Sequence, residues 1–212
     1  MQPDLAKTTE SGTRWKSANF SAEATVFDMR FDNQVQSVGS GNNVTFYNLG
    51  ATRHDGLETA LNHALGNSGM FGGLNAYANY TWMRATIESG TLAGIQVPFY
   101  SRNTDTLGAR YETGAWGFTL SSTHQGRQYA DEANTVAESA NGQLGLVPGY
   151  RIWNTQANWK MPGKSGFEVL AGVNNLADAR FFTRASGSGK LPGASRIAHG
   201  ACARASPILR NV

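Results

Sequence analysis

The sequence predicts an all-β protein: an antiparallel up-and-down meander of about nine strands. Three observations carry this. Segments of about ten residues alternate apolar and polar side chains, the period-two signature of a strand. Their connections alternate between tight Gly/Asn/Pro turns and long polar loops. The chain also holds 25 Gly and 10% aromatic residues in 212 residues, a composition that suits a turn-rich β fold.

The elements follow in order. Residues 1–9 are polar and read as loop, and Glu10 to Lys16 as a short strand. Ser17-Ala18-Asn19 is a tight turn. A long strand runs from Phe20 to about Val38. Its apolar residues are first even (Phe20, Ala22, Ala24, Val26) and then odd (Phe27, Met29, Phe31). Such a phase change predicts a bulge near Val26, or a strand leaving an apolar band there. Ser37 to Thr45 is a Gly/Asn/Ser loop, and Phe46 to Leu65 a further strand before the Gly66–Gly69 turn.

The clearest strand starts at Leu74 and runs to about Glu88. Leu74, Ala76, Ala78, Tyr80 and Trp82 share one face, and Asn75, Tyr77, Asn79 and Thr81 the other. A loop from Ser89 to Ser101 holds Pro98. Leu107, Ala109 and Tyr111 mark the next strand, Thr113-Gly114-Ala115 a turn, and Trp116, Phe118 and Leu120 the strand that returns. A long polar loop spans about Ala130 to Pro148. Trp153, Thr155, Ala157 and Trp159 alternate with Asn154, Gln156 and Asn158. Pro162 to Gly166 is a turn, and Phe167 to Val173 the eighth strand. Ser186 to Gly189 reads as a Gly/Ser loop, with a ninth strand after Pro192.

Short turns at one end and long loops at the other describe an outer-membrane barrel, whose outward face is apolar and whose lumen is polar. A soluble β-sandwich with an aromatic core shares the alternation. Asn154, Gln156 and Asn158 set between Trp153 and Trp159 favour lipid on the apolar face, with Trp82, Trp116, Trp153 and Trp159 near strand ends as an aromatic girdle.

Composition excludes several classes. No apolar stretch approaches the roughly 20 residues of a membrane-spanning helix. The net charge of +3 is spread without a Lys/Arg block, so nucleic-acid binding has no support. The single Cys, Cys202, excludes a disulfide framework or thiolate metal site. His54, His63, His124 and His199 are dispersed without metal-ligand spacing and read as surface or lumen residues. Asp131 and Glu132 read as solvated loop. Gly187–Lys190 has phosphate-loop glycines, but Leu191 stands where Ser/Thr is needed. No Ser/His/Asp set has supporting spacing. Neither an enzyme nor a cofactor is expected. The N-terminal residues lack a basic start and apolar run, so no signal peptide is read in this chain.

Five segments resemble TonB-dependent outer-membrane receptors, the first three in the family's order. They are Phe20–Phe27 (FSAEATVF) with Phe31–Gln34 (FDNQ), Asn48–Glu58 (NLGATRHDGLE), Gly172–Arg184 (GVNNLADARFFTR), Val97–Arg102 (VPFYSR) with Thr106–Gly108, and Tyr129–Gly142 with Val147–Gly149. The last two are similar to the ferric-citrate branch. The resemblance implies that residues 1–196 are the C-terminal part of a barrel of about 22 strands. It implies a ferric siderophore as ligand, ferric dicitrate or a related carboxylate chelate. It also implies contact with outer-membrane lipid and lipopolysaccharide, and with TonB only through an N-terminal part that the chain lacks. The localisation implied is the outer membrane of a Gram-negative bacterium.

A carboxylate chelate calls for guanidinium groups, which bind carboxylate through a planar fork. Arg102, Arg127 and Arg184 lie at or beyond the long-loop ends of strands and are candidates. Arg127 also shares the inward phase of Thr119, Ser121 and Thr123. Asn42 and Asn43, in a loop that closes over the ligand in the resembled branch, complete the set. Residues 197–212 form an aberrant tail. It lacks alternation and the family's terminal Phe, holds Pro207, and reads as a frameshift near Arg196. Two other functions fit the pattern: a small autonomous barrel acting as adhesin or pore, and a soluble carbohydrate-binding sandwich.

Overall fold

The computed structural model describes residues 4–33, 35–38, 45–48, 50–66, 71–163 and 166–204. Fifteen strands occur among them. They are β1 Leu5–Lys16, β2 Phe20–Asp32, β3 Val35–Val38, β4 Thr45–Asn48, β5 Thr52–Ala64, β6 Leu74–Ile87, β7 Asn103–Thr113, β8 Trp116–Gln125, β9 Gln128–Tyr129, β10 Leu146–Val147, β11 Tyr150–Lys160, β12 Phe167–Asn174, β13 Phe182–Ser186, β14 Gly189–Pro192 and β15 Ile197–Arg204.

Nine of these make one antiparallel sheet in the order β1-β2-β5-β6-β7-β8-β11-β12-β15, the expected meander. The six remaining strands form three two-stranded ribbons: β3-β4, β9-β10 and β13-β14. Each ribbon lies within a long connection, and in a meander these alternate connections share one end of the sheet. The opposite end carries the short turns. At Gly114 the backbone adopts φ 57°, which lets β7 reverse into β8 within two residues.

Among the described residues the sheet has no facing layer. Successive rungs place Val26, Leu57 and Trp82 on one face, and Ala78, Leu107 and Ser122 continue it. On that face Val26 is 55% exposed, Leu107 47%, Trp116 48% and Leu120 43%. The other face carries Thr25, Glu58 and Thr81, then Thr106, Thr119 and Ser121, and on β11 Asn154, Gln156 and Asn158. An exposed apolar face this wide, backed by a polar one, fits lipid outside and a wet lumen inside. A sandwich would need a second layer over the apolar face.

Ring contacts follow the same division. Trp15 meets Phe20 at 5.4 Å, and Trp116 stacks on Trp159 at 5.8 Å, both pairs beside short turns. Trp82 and Trp153 lie on the same outward face toward the long loops. The buried apolar residues gather instead at the loop end. Ala85, Ile87 and Val97 form one cluster, with Leu92 and Tyr100 against it. Ala130, Val147 and Ala185 form another, with Phe99 against it.

Several expectations are corrected. No bulge occurs near Val26, because β2 pairs without interruption with both β1 and β5. The second alternative describes the strand: its outward side chains change from Val26 to Asp28 and Arg30, so β2 leaves the apolar band there, while Phe27 turns inward and is buried. The Phe27 Cζ lies 2.7 Å from where a Cβ of Gly56 would stand, so the absent side chain at Gly56 makes room for the ring. The strand expected from Phe20 to Val38 divides at Asn33, where φ is 62°, and β3 turns back onto β4. The strand expected from Phe46 to Leu65 likewise divides into β4 and β5. The first strand begins at Leu5 rather than Glu10. Ser186 to Gly189 is the tight turn of the β13-β14 ribbon. The ninth strand of the sheet is β15, paired with β12 from Ile197 to Arg204. Residues 205–212, most of the Ser37–Thr45 loop, most of the Gly66–Gly69 turn and the centre of the Pro162–Gly166 turn lie outside the described residues.

Candidate functional site

The long-loop end is built by polar contacts between connections. In the β8–β10 connection, Asp131 Oδ1 accepts from the Ala133 and Thr135 amides at 3.0 and 3.2 Å and from the Thr135 hydroxyl at 2.9 Å. Its Oδ2 accepts from the Gly145 amide at 3.2 Å. Asp131 is thus the internal tie of its own loop. The neighbouring Glu132 is partly buried, and desolvation raises its carboxyl above the ordinary value because burial disfavours the charged form.

This loop is joined to its neighbours. The Gln96 amide donates to Asn134 Oδ1 at 2.9 Å, and Asn134 Nδ2 donates to the Gln96 carbonyl at 2.8 Å. Gln128 Nε2 donates to the Thr183 carbonyl at 2.7 Å. Lys190 Nζ meets Glu138 at 2.7 Å, with the lysine side chain almost wholly buried. His54 ties the wall to the loop above it, between the rings of Phe31 at 5.0 Å and Tyr100 at 4.6 Å. It is buried, which corrects its reading as a surface residue; the β5 register keeps it on the lumen-facing side with Glu58, covered by aromatic neighbours from distant segments.

Among these loops lies a cleft of about 260 Å³, lined by Gln96, Arg102, Asn103, Gly126, Arg127, Tyr129 and Leu146. Arg102 precedes β7 and Arg127 follows β8, so two adjacent strands deliver both guanidiniums. Both arginines are exposed, and neither guanidinium has an ion-pair or hydrogen-bond partner among the described residues. Arg127 does not extend the inward phase of β8, which ends at Gln125. There the Gly126 amide donates to the Asn103 carbonyl at 2.8 Å. Asn103 Oδ1 accepts from the Tyr80 hydroxyl at 2.7 Å, which leaves its amide nitrogen uncommitted among the described residues.

Arg184 stands apart. Its guanidinium lies 4.3 Å from the centroid of the Phe99 ring, a cation–π contact. Phe99 in turn donates its amide to the Tyr129 carbonyl at 2.9 Å. Asn42 and Asn43 lie outside the described residues. Nothing in the sequence singles out Gln96, Asn103 or Tyr129 as site residues. Among the described residues no cluster of His, Cys, Asp or Glu could hold a metal ion.

The Gly172–Arg184 stretch serves the fold. Asn175 is buried at φ 50°. Its Nδ2 donates to the carbonyls of Ala179 and Ala194 at 2.9 and 3.1 Å, and its Oδ1 accepts from the Ala179 amide at 2.9 Å. Asp178 Oδ1 accepts from the Arg196 amide at 3.0 Å.

Comparison with known proteins agrees with this architecture. Residues 1–176 match the family described as "TonB dependent receptor-like, beta-barrel". A probable TonB-dependent siderophore receptor PiuA of Acinetobacter baumannii is 24% identical over 202 residues, covering 89% of this chain and 25% of that protein. The structure of the ferric citrate transporter FecA in its unliganded form superposes with a TM-score of 0.80 at 34% identity, over 92% of this chain and 30% of FecA. The ferric yersiniabactin uptake receptor FyuA of Yersinia pestis, at 20% identity and a TM-score of 0.71 over 94% of this chain and 29% of its own, shares the fold. The chain therefore spans between a quarter and a third of the length of these relatives. The family is one of transport receptors, not enzymes, and this chain belongs to the TonB-dependent receptor-like β-barrel family.

Proposed function

We propose that the chain is part of the barrel wall of a TonB-dependent outer-membrane receptor for a ferric siderophore, with a carboxylate chelate such as ferric dicitrate as its ligand. The observation that carries the reading is the pair Arg102 and Arg127 on one cleft at the long-loop end, both without a carboxylate partner among the described residues. Two uncommitted guanidiniums favour an anion with several carboxylate oxygens. The similarity to the ferric citrate transporter FecA supports the same choice. Arg184, held on Phe99, and Asn42 and Asn43 are proposed as further contacts. TonB would act through an N-terminal part outside this chain. Residues 197–212 are proposed to be out of frame, which genomic sequencing across Arg196 would test.

The binding test uses the chain refolded in detergent micelles and follows tryptophan fluorescence on addition of ferric dicitrate. Exchanging both Arg102→Gln and Arg127→Gln is expected to weaken binding by about tenfold or more, since a charged hydrogen-bond partner contributes about 1.5–3 kcal/mol. Equal affinity in the double variant would remove the cleft from the mechanism. Equal binding of a neutral chelate would remove the carboxylate assignment.

A further inference from the structure

The connection after β12 is held against its neighbour at alternate residues. The Phe181 ring lies on the Tyr150 ring, with 4.2 Å between centroids. The Thr183 carbonyl accepts from Gln128 Nε2 at 2.7 Å. Ala185 is buried in a cluster with Ala130 and Val147. Arg184 stands between the last two, its guanidinium 4.3 Å from the centroid of the Phe99 ring. The Phe99 amide donates to the Tyr129 carbonyl at 2.9 Å, and Tyr129 lines the cleft together with Arg127.

Gln128 is the polar member of this grip. Only 3% of it is exposed, and both ends of its carboxamide are used. Gln125 Nε2 donates to Gln128 Oε1 at 3.3 Å, and the Tyr150 hydroxyl donates to Gln125 Oε1 at 2.8 Å. This relay can run in one sense only. A peptide carbonyl accepts and never donates, so Gln128 has to turn its nitrogen to Thr183 and its oxygen to Gln125. Gln125 then presents its nitrogen to Gln128 and its oxygen to Tyr150, whose hydroxyl supplies the proton. Two carboxamides that could each flip are thereby fixed. The relay starts on Tyr150, against Phe181, and ends on Thr183.

We infer that Gln128 is a positioning residue for Arg184, holding the β13-β14 ribbon where the Arg184 and Arg127 guanidiniums can engage one polycarboxylate anion. The inference rests on the carboxylate-chelate reading above. Arg127 immediately precedes Gln128 and Arg184 immediately follows Thr183, so one hydrogen bond sets the spacing of the two arginine-bearing segments. A spacing fixed beforehand spares the ligand the entropy of ordering the ribbon. An apolar side chain of similar length at 128 would fill the space and leave the Thr183 carbonyl without its partner. The ribbon has separate anchors in Ala185 and in the ion pair of Lys190 with Glu138 at 2.7 Å. Loss of the Gln128 bond should therefore shift the ribbon rather than release it.

The test is a double-mutant cycle on ferric dicitrate binding by the refolded full chain in detergent micelles, read by tryptophan fluorescence. Arg184→Gln is expected to weaken binding about tenfold and Gln128→Met about fivefold. Combined, they should weaken it about tenfold, because Gln128 acts through Arg184, whereas independent effects would multiply to about fiftyfold. Multiplication would overturn the positioning role and make Gln128 a general support of the fold. Should Gln128→Met lose its β-sheet circular dichroism, Tyr150→Phe replaces it in the cycle. That variant should cost about twofold alone and nothing further beside Arg184→Gln. Nuclear magnetic resonance of the Gln128 carboxamide reads the relay without ligand. Its protons should exchange slowly with water in the unaltered chain and faster in Tyr150→Phe. Fast exchange in the unaltered chain would overturn the relay. Slow exchange in a chain that binds no ferric dicitrate would instead overturn the chelate reading, and with it the role of Arg184, while the relay stands.

Discussion

Gln96 and Asn134 hold one another by two hydrogen bonds: the Gln96 amide donates to Asn134 Oδ1 at 2.9 Å, and Asn134 Nδ2 donates to the Gln96 carbonyl at 2.8 Å. The carboxamide takes the place of a neighbouring strand's peptide group. Gln96 also lines the cleft, so the pair ties one of its walls to the β8–β10 connection. Asn134→Ala should leave the Gln96 backbone groups without these partners, a loss of about 1–3 kcal/mol. Hydrogen exchange at the Gln96 amide should quicken while exchange within β6 and β7 stays unchanged. Unchanged exchange at Gln96 would show that the loops are held together by something else.

Asn175 makes three side-chain hydrogen bonds within the connection after β12. Asn175→Ala should destabilise that connection by about 2–4 kcal/mol, from buried peptide groups left unpaired and the loss of a residue suited to positive φ. Limited proteolysis between 176 and 194 reads the effect. Resistance equal to that of the unaltered chain would count against this account.

Gly108 faces Tyr77 across the β6–β7 ladder, and the Tyr77 ring occupies the space that a side chain at 108 would need. Gly108→Val should lower stability in detergent by about 1–3 kcal/mol through overpacking. Adding Tyr77→Ala should restore part of the loss, since contacting residues couple. A purely additive pair of urea midpoints would refute the contact.

Glu132 has its carboxyl raised by burial. A carboxyl raised in the folded state binds its proton more tightly there than when unfolded. Loop stability should therefore be greatest below the ordinary glutamate value of 4.5 and fall as pH rises through the raised one. Above that window Glu132 adds no further pH dependence. Glu132→Gln should flatten this slope in the hydrogen exchange of residues 130–136. An identical slope in both proteins would assign the titration to another group.

The fold was legible where alternation is unbroken and both faces keep one character. Leu74 to Trp82 is such a case, and β6 begins at Leu74 as read. Reading failed where a local signal had a distant cause. Phe27 is accommodated on the inward face because Gly56, far along the chain, leaves room for it, and the resulting change of phase mimics a bulge. The β9-β10 and β13-β14 ribbons have strands of two to five residues, too short for periodicity to register. Arg102 and Arg127 could be picked out because they flank strand ends. Gln96 and Tyr129 could not, because their positions depend on Asn134 and Phe99, contacts between loops that no spacing in the chain announces.

The two buried apolar clusters, Ala85–Ile87–Val97 and Ala130–Val147–Ala185, both lie beneath the long loops. Among the described residues the strands between the rims have no interior of their own. Water can consolidate the loop end, because burial there removes apolar surface from solvent. On the outer-membrane reading proposed above, lipid would do the same for the outward face of the strands, so the two parts of one chain would be stabilised by two different solvents.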